Sequence, residues 1–409
     1  MVTPFGLRPK GTVRVRALPL AEALVARGHG VTILVPPWDD PSAAGKDFEQ
    51  NGVMVRQLAL PTRAYVEVPH LTLQLLRGAL AQKPDVLHAF KPKAYSGFVA
   101  TAWWCLQKVR AVRAPLVMDS DDWEGWGGWN DHAPYSRLQK WLFAWQEQWG
   151  LRHADGVTVA NRTLQSIVWS MGIPPARVMY VPNGSGTGWG TPEEAEVDAL
   201  RTRLELGDAP VALLYTRFFE FDVLVLARRW AKIVAALPEA RLLVVGKGFW
   251  GEENKFQAAM RELGVSESVI YVGWQPFEML PAHFALARLM LYPMKDTLLN
   301  RSKCPVKLAD MLQFGLPVIG ERVGQVAEYL ANNAGGLLVS PGDDEAFVAA
   351  TLRLLRDPAQ ARALAQAGQT RFASHFDWPI QAKRVERLYE RVVTSQSGSF
   401  RPECGIRGD

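Results

Sequence analysis

Residues 302–318 read SKCPVKLADMLQFGLPV. Pro305 suits the first turn of a helix, with Ser302 or Cys304 as candidate N-cap, and Gly315 followed by Pro317 supplies a stop. The spacing predicts a helix of about three turns. Lys303 and Lys307 stand four apart, and Lys307 and Asp310 three apart, so all three can share one face. A helix N-terminus carries unpaired N–H groups and about half a positive charge, to which lysines add. The stretch therefore suits a phosphate-bearing ligand, with Asp310 one turn deeper to accept hydrogen bonds from ribose hydroxyls. An exposed helix with a Lys–Asp surface pair is the ordinary alternative.

Outward from this stretch, short apolar runs alternate with longer helical patterns. Residues 30–37 (GVTILVPP), 84–90 (PDVLHAF), 114–120 (APLVMDS), 155–161 (DGVTVAN) and 177–183 (RVMYVPN) read as buried strands. Amphipathic helices lie between them, such as VRVRALPLAEALVARG, which closes on Gly28. A Gly-rich, charged segment at 184–209 breaks the rhythm as a linker with an entry helix. The alternation then restarts at 211–218, 240–246, 268–274, 287–293, 316–321 and 335–341. Apolar strands separated by helices make parallel sheets covered on both faces, and here they make two. The expected fold is α/β, two Rossmann-like doubly wound domains facing a central cleft. Ligands of such sheets sit beyond the carboxyl ends of the strands. The boundaries read as 1–185 for the first domain and 186–376 for the second. A helix at 377–393 packs back on the first, and the polar tail 394–409 is expected to be disordered. One oddity stands at the front: only MVTPF precedes the first Gly-containing loop, so strand one is very short or trimmed.

The bulk composition excludes several classes. The chain has 409 residues, which at roughly 150 per domain allows two or three domains. Hydrophobic residues at 48% and charged ones at 21% describe a globular protein, with no apolar run of the ~18–20 residues that span a membrane. No secretion signal is evident at the N-terminus. Cys105, Cys304 and Cys404 are too few and too scattered for a disulfide framework or a zinc site, so a reducing cytoplasm is the expected setting. The net charge of +5 permits attraction to phosphates or to an anionic membrane face, yet no nucleic-acid signature accompanies it. Trp103, Trp104, Trp123, Trp126, Trp129, Trp141, Trp145 and Trp149 crowd one stretch. They read either as core or as an aromatic platform for sugar or lipid.

Other constellations carry chemistry. In PLVMDSDDWEGWGGW (115–129), Asp119, Asp121, Asp122 and Glu124 follow a strand end. A carboxylate there can orient an acceptor hydroxyl or act as a base. Metal binding by Asp119 and Asp121, or capping of the next helix, are the competing readings. GKGFWG (246–251) is a literal G-x-G-x-x-G, but the next strand ends in Gly273, Trp274 and Gln275, without the acid a dinucleotide ribose requires. In FGLRPKGTV (5–13), Lys10 and Gly11 can bring amides and charge to an acceptor or a diphosphate. His88, Lys91 and Lys93 follow another strand end and could meet a polar acceptor. The helix YSGFVATAWWCLQKVR either buries against the sheet or touches a membrane.

In order and spacing these motifs resemble the GT-B glycosyltransferases of family 4 (group 1), over nearly the whole chain. The family pattern E-G-F-G-x-x-x-x-E-A-M-A-x-G-x-P-V aligns with 302–318, and its G-x-L-V-x-P-G-D with GGLLVSPGD. YVPNGSG (180–186) is similar to its N-G-x-D, and LLYTRF (213–218) to its G-R phosphate loop. The resemblance implies retaining, metal-independent transfer, without cofactor, from a nucleoside-diphosphate sugar to a saccharide or lipid-linked acceptor. It also implies a cytoplasmic enzyme, with contact at the inner membrane face. It assigns catalysis to Asp121, Arg217 and Lys303. Donor binding falls to Arg217, Lys303, Lys307, Asp310, Gly246 and Asn183, and acceptor binding to Lys10, Gly11, His88, Asp122 and Trp123. Asp310 stands for the family's second glutamate and Ser302 for its first; Asp222 stands near an expected basic residue, and Asp121 where a histidine is usual. A nucleotide-sugar epimerase of the same architecture, or a non-catalytic binder, are the two other classes these departures leave open.

Overall fold

The computed structural model describes residues 1–8, 11–62, 67–185 and 189–396. The chain forms two compact units. The first comprises Met1–Asn183, Ser302–Cys304 and the chain from Trp378; the second comprises Gly184–Arg301 and Pro305–Asp377. Relative to the expected boundaries, Gly184, Ser185 and Asp377 fall in the second unit, and the three-residue strap Ser302–Cys304 belongs to the first unit although it interrupts the second.

In the first unit the strands are β1 (Thr32–Val35), β2 (Phe48–Gln50), β3 (Val53–Gln57), β4 (Leu87–Phe90), β5 (Leu116–Ser120), β6 (Gly156–Val159) and β7 (Val178–Tyr180). They pair as β1-β3-β2 and β4-β5-β6-β7. Val2 joins the two groups through parallel bridges to Leu34 and Ala89, so the short first strand consists of little more than this residue. Neither β2 nor β3 was expected from apolar runs. Asn51 and Gly52, at φ 47° and 78°, turn them into an antiparallel hairpin of the kind Asn-Gly favours. Alternation along β1 sends Leu34 to the core on one face and Ile33 and Val35 to the core on the other. The second face is covered by the helices Leu18–Val25 and Trp378–Gln396, the latter starting one residue and ending three residues later than expected. A π-helical turn, Val13–Ala17, precedes Leu18–Val25, where Pro19 has no N–H to give the preceding turn.

The second unit has one parallel sheet, β8 (Val211–Thr216), β9 (Arg241–Gly246), β10 (Val269–Gly273), β11 (Leu289–Tyr292), β12 (Val318–Glu321) and β13 (Gly336–Val339). Its order is β10-β9-β8-β11-β12-β13, so the direction of winding reverses between β8 and β11. That switch point is where a doubly wound sheet opens a crevice at its carboxyl edge.

The stretch 302–318 is helical only over Val306–Phe314, with Pro305 as N-cap. The residue before a proline is pushed out of the α region, so Cys304 cannot carry the helix further back. Gly315 ends it at φ 88°, in the left-handed conformation. Neither Ser302 nor Cys304 is the cap, and Lys303 lies outside the helix. The shared lysine face expected from the spacing is therefore corrected.

Inside the first unit, Arg16 is fully buried beside Val13 and Ala17 on the turn Val13–Ala17, whose other arginine, Arg14, is exposed. Its Nε and Nη2 donate to both Asp119 carboxylate oxygens at 2.7 and 2.6 Å, and Nη1 donates to Val181 O at 3.0 Å and Asn183 Oδ1 at 2.8 Å. Removing one member of a buried pair leaves an uncompensated charge, at about 3–5 kcal/mol. Arg16→Met should accordingly lower stability by about that much in chemical denaturation, and Arg16→Met with Asp119→Leu should recover most of it. An Arg16→Met protein as stable as the wild type would contradict the assignment.

Candidate functional site

In the second unit, the crevice at the β8/β11 switch point holds a small cavity lined by Tyr215, Thr216, Glu220, Tyr292 and Lys307. Arg217 follows β8 directly and is exposed. Lys307, in the first turn of Val306–Phe314, rests 4.0 Å over the Tyr215 ring. Burial, together with repulsion from Arg217, lowers its ammonium to about 7, against the opposing pull of Glu220 and Asp310. Two cations held together at the rim of a crevice are an arrangement an anion relieves. Asp310 is buried, and its Oδ1 accepts from Ser185 Oγ at 2.9 Å.

Neighbouring predicted residues have mainly structural work. Gly246 sits at φ 130° at the end of β9, where a Cβ would meet Thr216 O at 1.9 Å. Only glycine permits that approach of β8 and β9. In the loop 246–251, Gly248 N donates to Glu253 Oε2 at 3.0 Å and Trp250 N to Glu252 Oε2 at 2.8 Å. Carboxylates thus occupy amides that a dinucleotide pyrophosphate would need. Asp222, which stands near the position of an expected base, caps Val223–Ala236 by accepting from Leu224 N at 2.9 Å.

In the first unit, the carboxyl ends of β4 and β5 bring Lys91 and the 119–124 loop together. Lys91, at φ 54°, places Nζ 2.9 Å from Asp121 Oδ1, 3.1 Å from Asp122 Oδ2 and 3.1 Å from Glu124 Oε1. Lys93 Nζ donates to Glu124 Oε2 at 2.6 Å and Tyr135 OH at 2.8 Å. Burial opposes both ammonium charges, but the facing carboxylates hold them above the usual lysine range. Glu124 is held down to about 2 by the two lysines despite its burial. Asp121 is raised to about 6, by burial first and then by Asp122 and Asp119, against Lys91. A carboxyl poised there can exchange a proton near neutral pH. Asp119 is held by Arg16 and Asp121 by Lys91, so the D-x-D carboxylates face cations.

Residues 11–184 match the family model described as glycosyl transferase 4-like domain, and residues 209–357 that of glycosyl transferases group 1. The chain belongs to the family 4 (group 1) glycosyltransferases. A GDP-mannose-dependent alpha-(1-6)-phosphatidylinositol monomannoside mannosyltransferase of Mycolicibacterium smegmatis is 29% identical over 244 residues, 58% of this chain and 62% of that protein. The match thus spans less than two thirds of that relative's length. The phosphatidyl-myo-inositol mannosyltransferase of Mycobacterium leprae is 24% identical over 411 residues, 97% of both chains. A sucrose-phosphate synthase from Thermosynechococcus elongatus matches in structure at a TM-score of 0.68 and 21% identity, over 96% of each chain. At that identity the likeness shows the fold, which is GT-B. Relatives named as transferases do not favour the epimerase alternative.

Several expected acceptor and donor contacts of this glycosyltransferase are corrected by burial. His88 is buried, with Nδ1 2.7 Å from Tyr389 OH and Nε2 3.1 Å from Thr158 Oγ1, and burial lowers it to about 3. It is a neutral interior ring, not an acceptor contact. Trp123 is packed in the core with Nε1 donating to Trp126 O at 2.8 Å. Asn183 lies in the first unit, where Oδ1 accepts from Arg16 and Nδ2 donates to Cys304 O at 2.8 Å. It anchors the strap. Lys303, buried on the same strap, places Nζ 5.2 Å over the Trp129 ring of the first unit. Asp122 remains partly exposed beside Lys91, and Gly11 opens the first helical turn by accepting from Val15 N. Lys10 lies outside the described residues.

Sequence reasoning missed Arg16 and Glu321. Arg16 left a signal, a charge on the apolar side of a core helix. Glu321 is buried and accepts from Arg229 Nη2 at 3.0 Å, Met294 N at 2.7 Å and Gly342 N at 3.0 Å, partners no local pattern announces.

Asp121 yields a pH test. Its folded value lies above the ordinary aspartate value of 3.8, so its contribution to stability is full below 3.8 and is lost as pH rises through about 6. Asp121→Asn should remove that decline, making the variant gain on the wild type between these limits in denaturation series. Parallel stability profiles would show that Asp121 is not so raised.

Proposed function

We propose that the chain transfers a sugar from a nucleoside-diphosphate sugar to a saccharide or lipid-linked acceptor, with retention and without a metal ion. The observation that carries this reading is the pairing of Arg217 with the half-neutralised Lys307 at the switch point of the second unit. A diphosphate supplies the negative charge this pair lacks, and the same cations stabilise it as it departs. Asp310, one turn further along the helix, takes the ribose hydroxyls in addition to Ser185. Asp121 serves the acceptor side as a carboxyl poised near neutrality. Lys91 and Lys93 are the counter-charges that keep the acidic loop folded. Family membership supports the retaining outcome, and cations facing Asp119 and Asp121 support chemistry without a metal.

The two mannosyltransferase relatives are named for phosphatidylinositol-based acceptors, which supports a lipid-linked acceptor here. No helix among the described residues is long and apolar enough to cross a membrane. We place the protein in the cytoplasm, meeting such an acceptor at the surface of the membrane.

A thermal-shift panel of UDP-, GDP-, ADP- and dTDP-sugars should give at least one stabilising donor, and mass spectrometry should then find its sugar on a saccharide or lipid acceptor. Asp310→Ala should weaken that donor by about 1.5–3 kcal/mol in calorimetry, the worth of hydrogen bonds to a charged group. Stabilisation by none of the donors would overturn the proposal. Donor binding without transfer to any acceptor would leave a non-catalytic binder.

A further inference from the structure

Helix Arg137–His153 buries Phe143, Ala144, Glu147, Gly150 and Leu151 against the first unit. Its other face carries Leu138, Trp141, Trp145 and Trp149, spaced three or four apart and therefore in one row. Leu138 is 74% exposed, Trp141 60% and Trp145 39%. The row continues through ring contacts. Trp145 and Trp149 stack with centroids 5.8 Å apart, and Trp149 stacks on His153 at 4.3 Å. Trp104, from the neighbouring helix Ala94–Lys108, meets Trp149 edge-on at 5.4 Å. From Trp141 to His153 the row runs for about 18 Å along the helix axis.

The exposed charge on the two helices that carry this row has one sign. Arg137, Lys140 and Arg152 lie on the helix itself, and Lys108, Arg110 and Arg113 close the neighbouring helix and the turn after it. Across Ala94–Arg113 and Arg137–His153 the sequence holds one carboxylate, Glu147, and it is fully buried. Burial and the neighbouring Glu124 raise Glu147 well above the usual range, so it adds no negative charge to this face. An exposed tryptophan row on two helices whose own exposed charges are all basic fits the interface of an anionic bilayer, where indole rings sit at headgroup depth and basic side chains meet lipid phosphates. A neutral glycan would use the rings but has no use for the surrounding charge.

We propose that this face of the first unit docks the protein on the surface of a bilayer containing anionic lipid, with Trp141 and Trp145 entering the interface. For helix Ala94–Lys108 the sequence offered burial against the sheet beside membrane contact. That helix buries Tyr95, Val99, Ala100 and Trp103, and its Trp104 meets the row edge-on. The inference extends the proposed lipid-surface setting but does not depend on sugar transfer.

The test uses the full chain with no donor or acceptor present. Vesicles of phosphatidylcholine with an equal share of phosphatidylglycerol should capture the protein in flotation, and vesicles of phosphatidylcholine alone should capture it at least about tenfold less well. Trp141→Ser with Trp145→Ser, and separately Lys108→Glu with Arg152→Glu, should each weaken capture by roughly tenfold or more. Brominated lipid should quench the wild-type tryptophan emission, and Trp141→Phe with Trp145→Phe, which keeps the rings and the fold, should lose most of that quenching. Equal capture by both vesicle types, no capture by either, or variants that bind like the wild type would overturn the proposal. Capture of a soluble polysaccharide that needs Trp141 and Trp145, without vesicle binding, would overturn it in favour of a glycan platform. Donor stabilisation in the nucleotide-sugar panel is measured separately, so either proposal can fail alone.

Discussion

A single proline decides where the charges of residues 302–318 go. Because Pro305 starts the helix and Cys304 must stay extended before it, the chain leaves the strap Ser302–Cys304 in the first unit and begins Val306–Phe314 in the second. Lys303 therefore joins Trp129, and Lys307 alone of the two lysines reaches the switch point of the second sheet. Burial and Arg217 then bring Lys307 close to neutrality, which an unbroken helix carrying both lysines on its surface would not have done.

The strap in turn depends on Arg16. Asn183 accepts from Arg16 on one side and donates to Cys304 O on the other, while Asn161 donates its amide to Ser302 O. The same guanidinium fixes Asp119 at the end of β5, and the loop that follows carries Asp121 to Glu124 into the reach of Lys91 and Lys93. Charge in the first unit is thus arranged inward. Lysines that follow a strand end, and so look available to an acceptor, are consumed in holding an acidic loop together. Asp121 keeps a poised proton because its share of that compensation is smaller than Glu124's.

Strand positions were legible because buried parallel strands are apolar throughout, and every such run from 30–37 to 335–341 holds a strand. The hairpin β2–β3 escaped because its strands are short and half exposed, although Asn51-Gly52 marked the turn. The places of Arg217 after a strand end, and of Lys307 and Asp310 on a helix stopped by Gly315, were legible from motif order. His88, Trp123 and Asn183 were misplaced because proximity to a strand end says nothing about which way a side chain points. Partners such as Tyr389 and Cys304 are more than a hundred residues away and leave no local trace. The tryptophan-rich stretch proved to be two things, core at Trp103 and Trp123 and surface at Trp141 and Trp145.

The most direct measurement is the proton count when a stabilising nucleoside diphosphate binds, obtained by calorimetry in buffers of different ionisation enthalpy. Above the value of about 7 to which Lys307 is lowered, its side chain in the unliganded protein is mainly the neutral amine, and an adjacent diphosphate should restore its charge. Binding one pH unit above that value should take up close to one proton, and Lys307→Met should abolish the uptake. Uptake near zero in the wild type, or the same uptake in the variant, would contradict a diphosphate site built on Lys307.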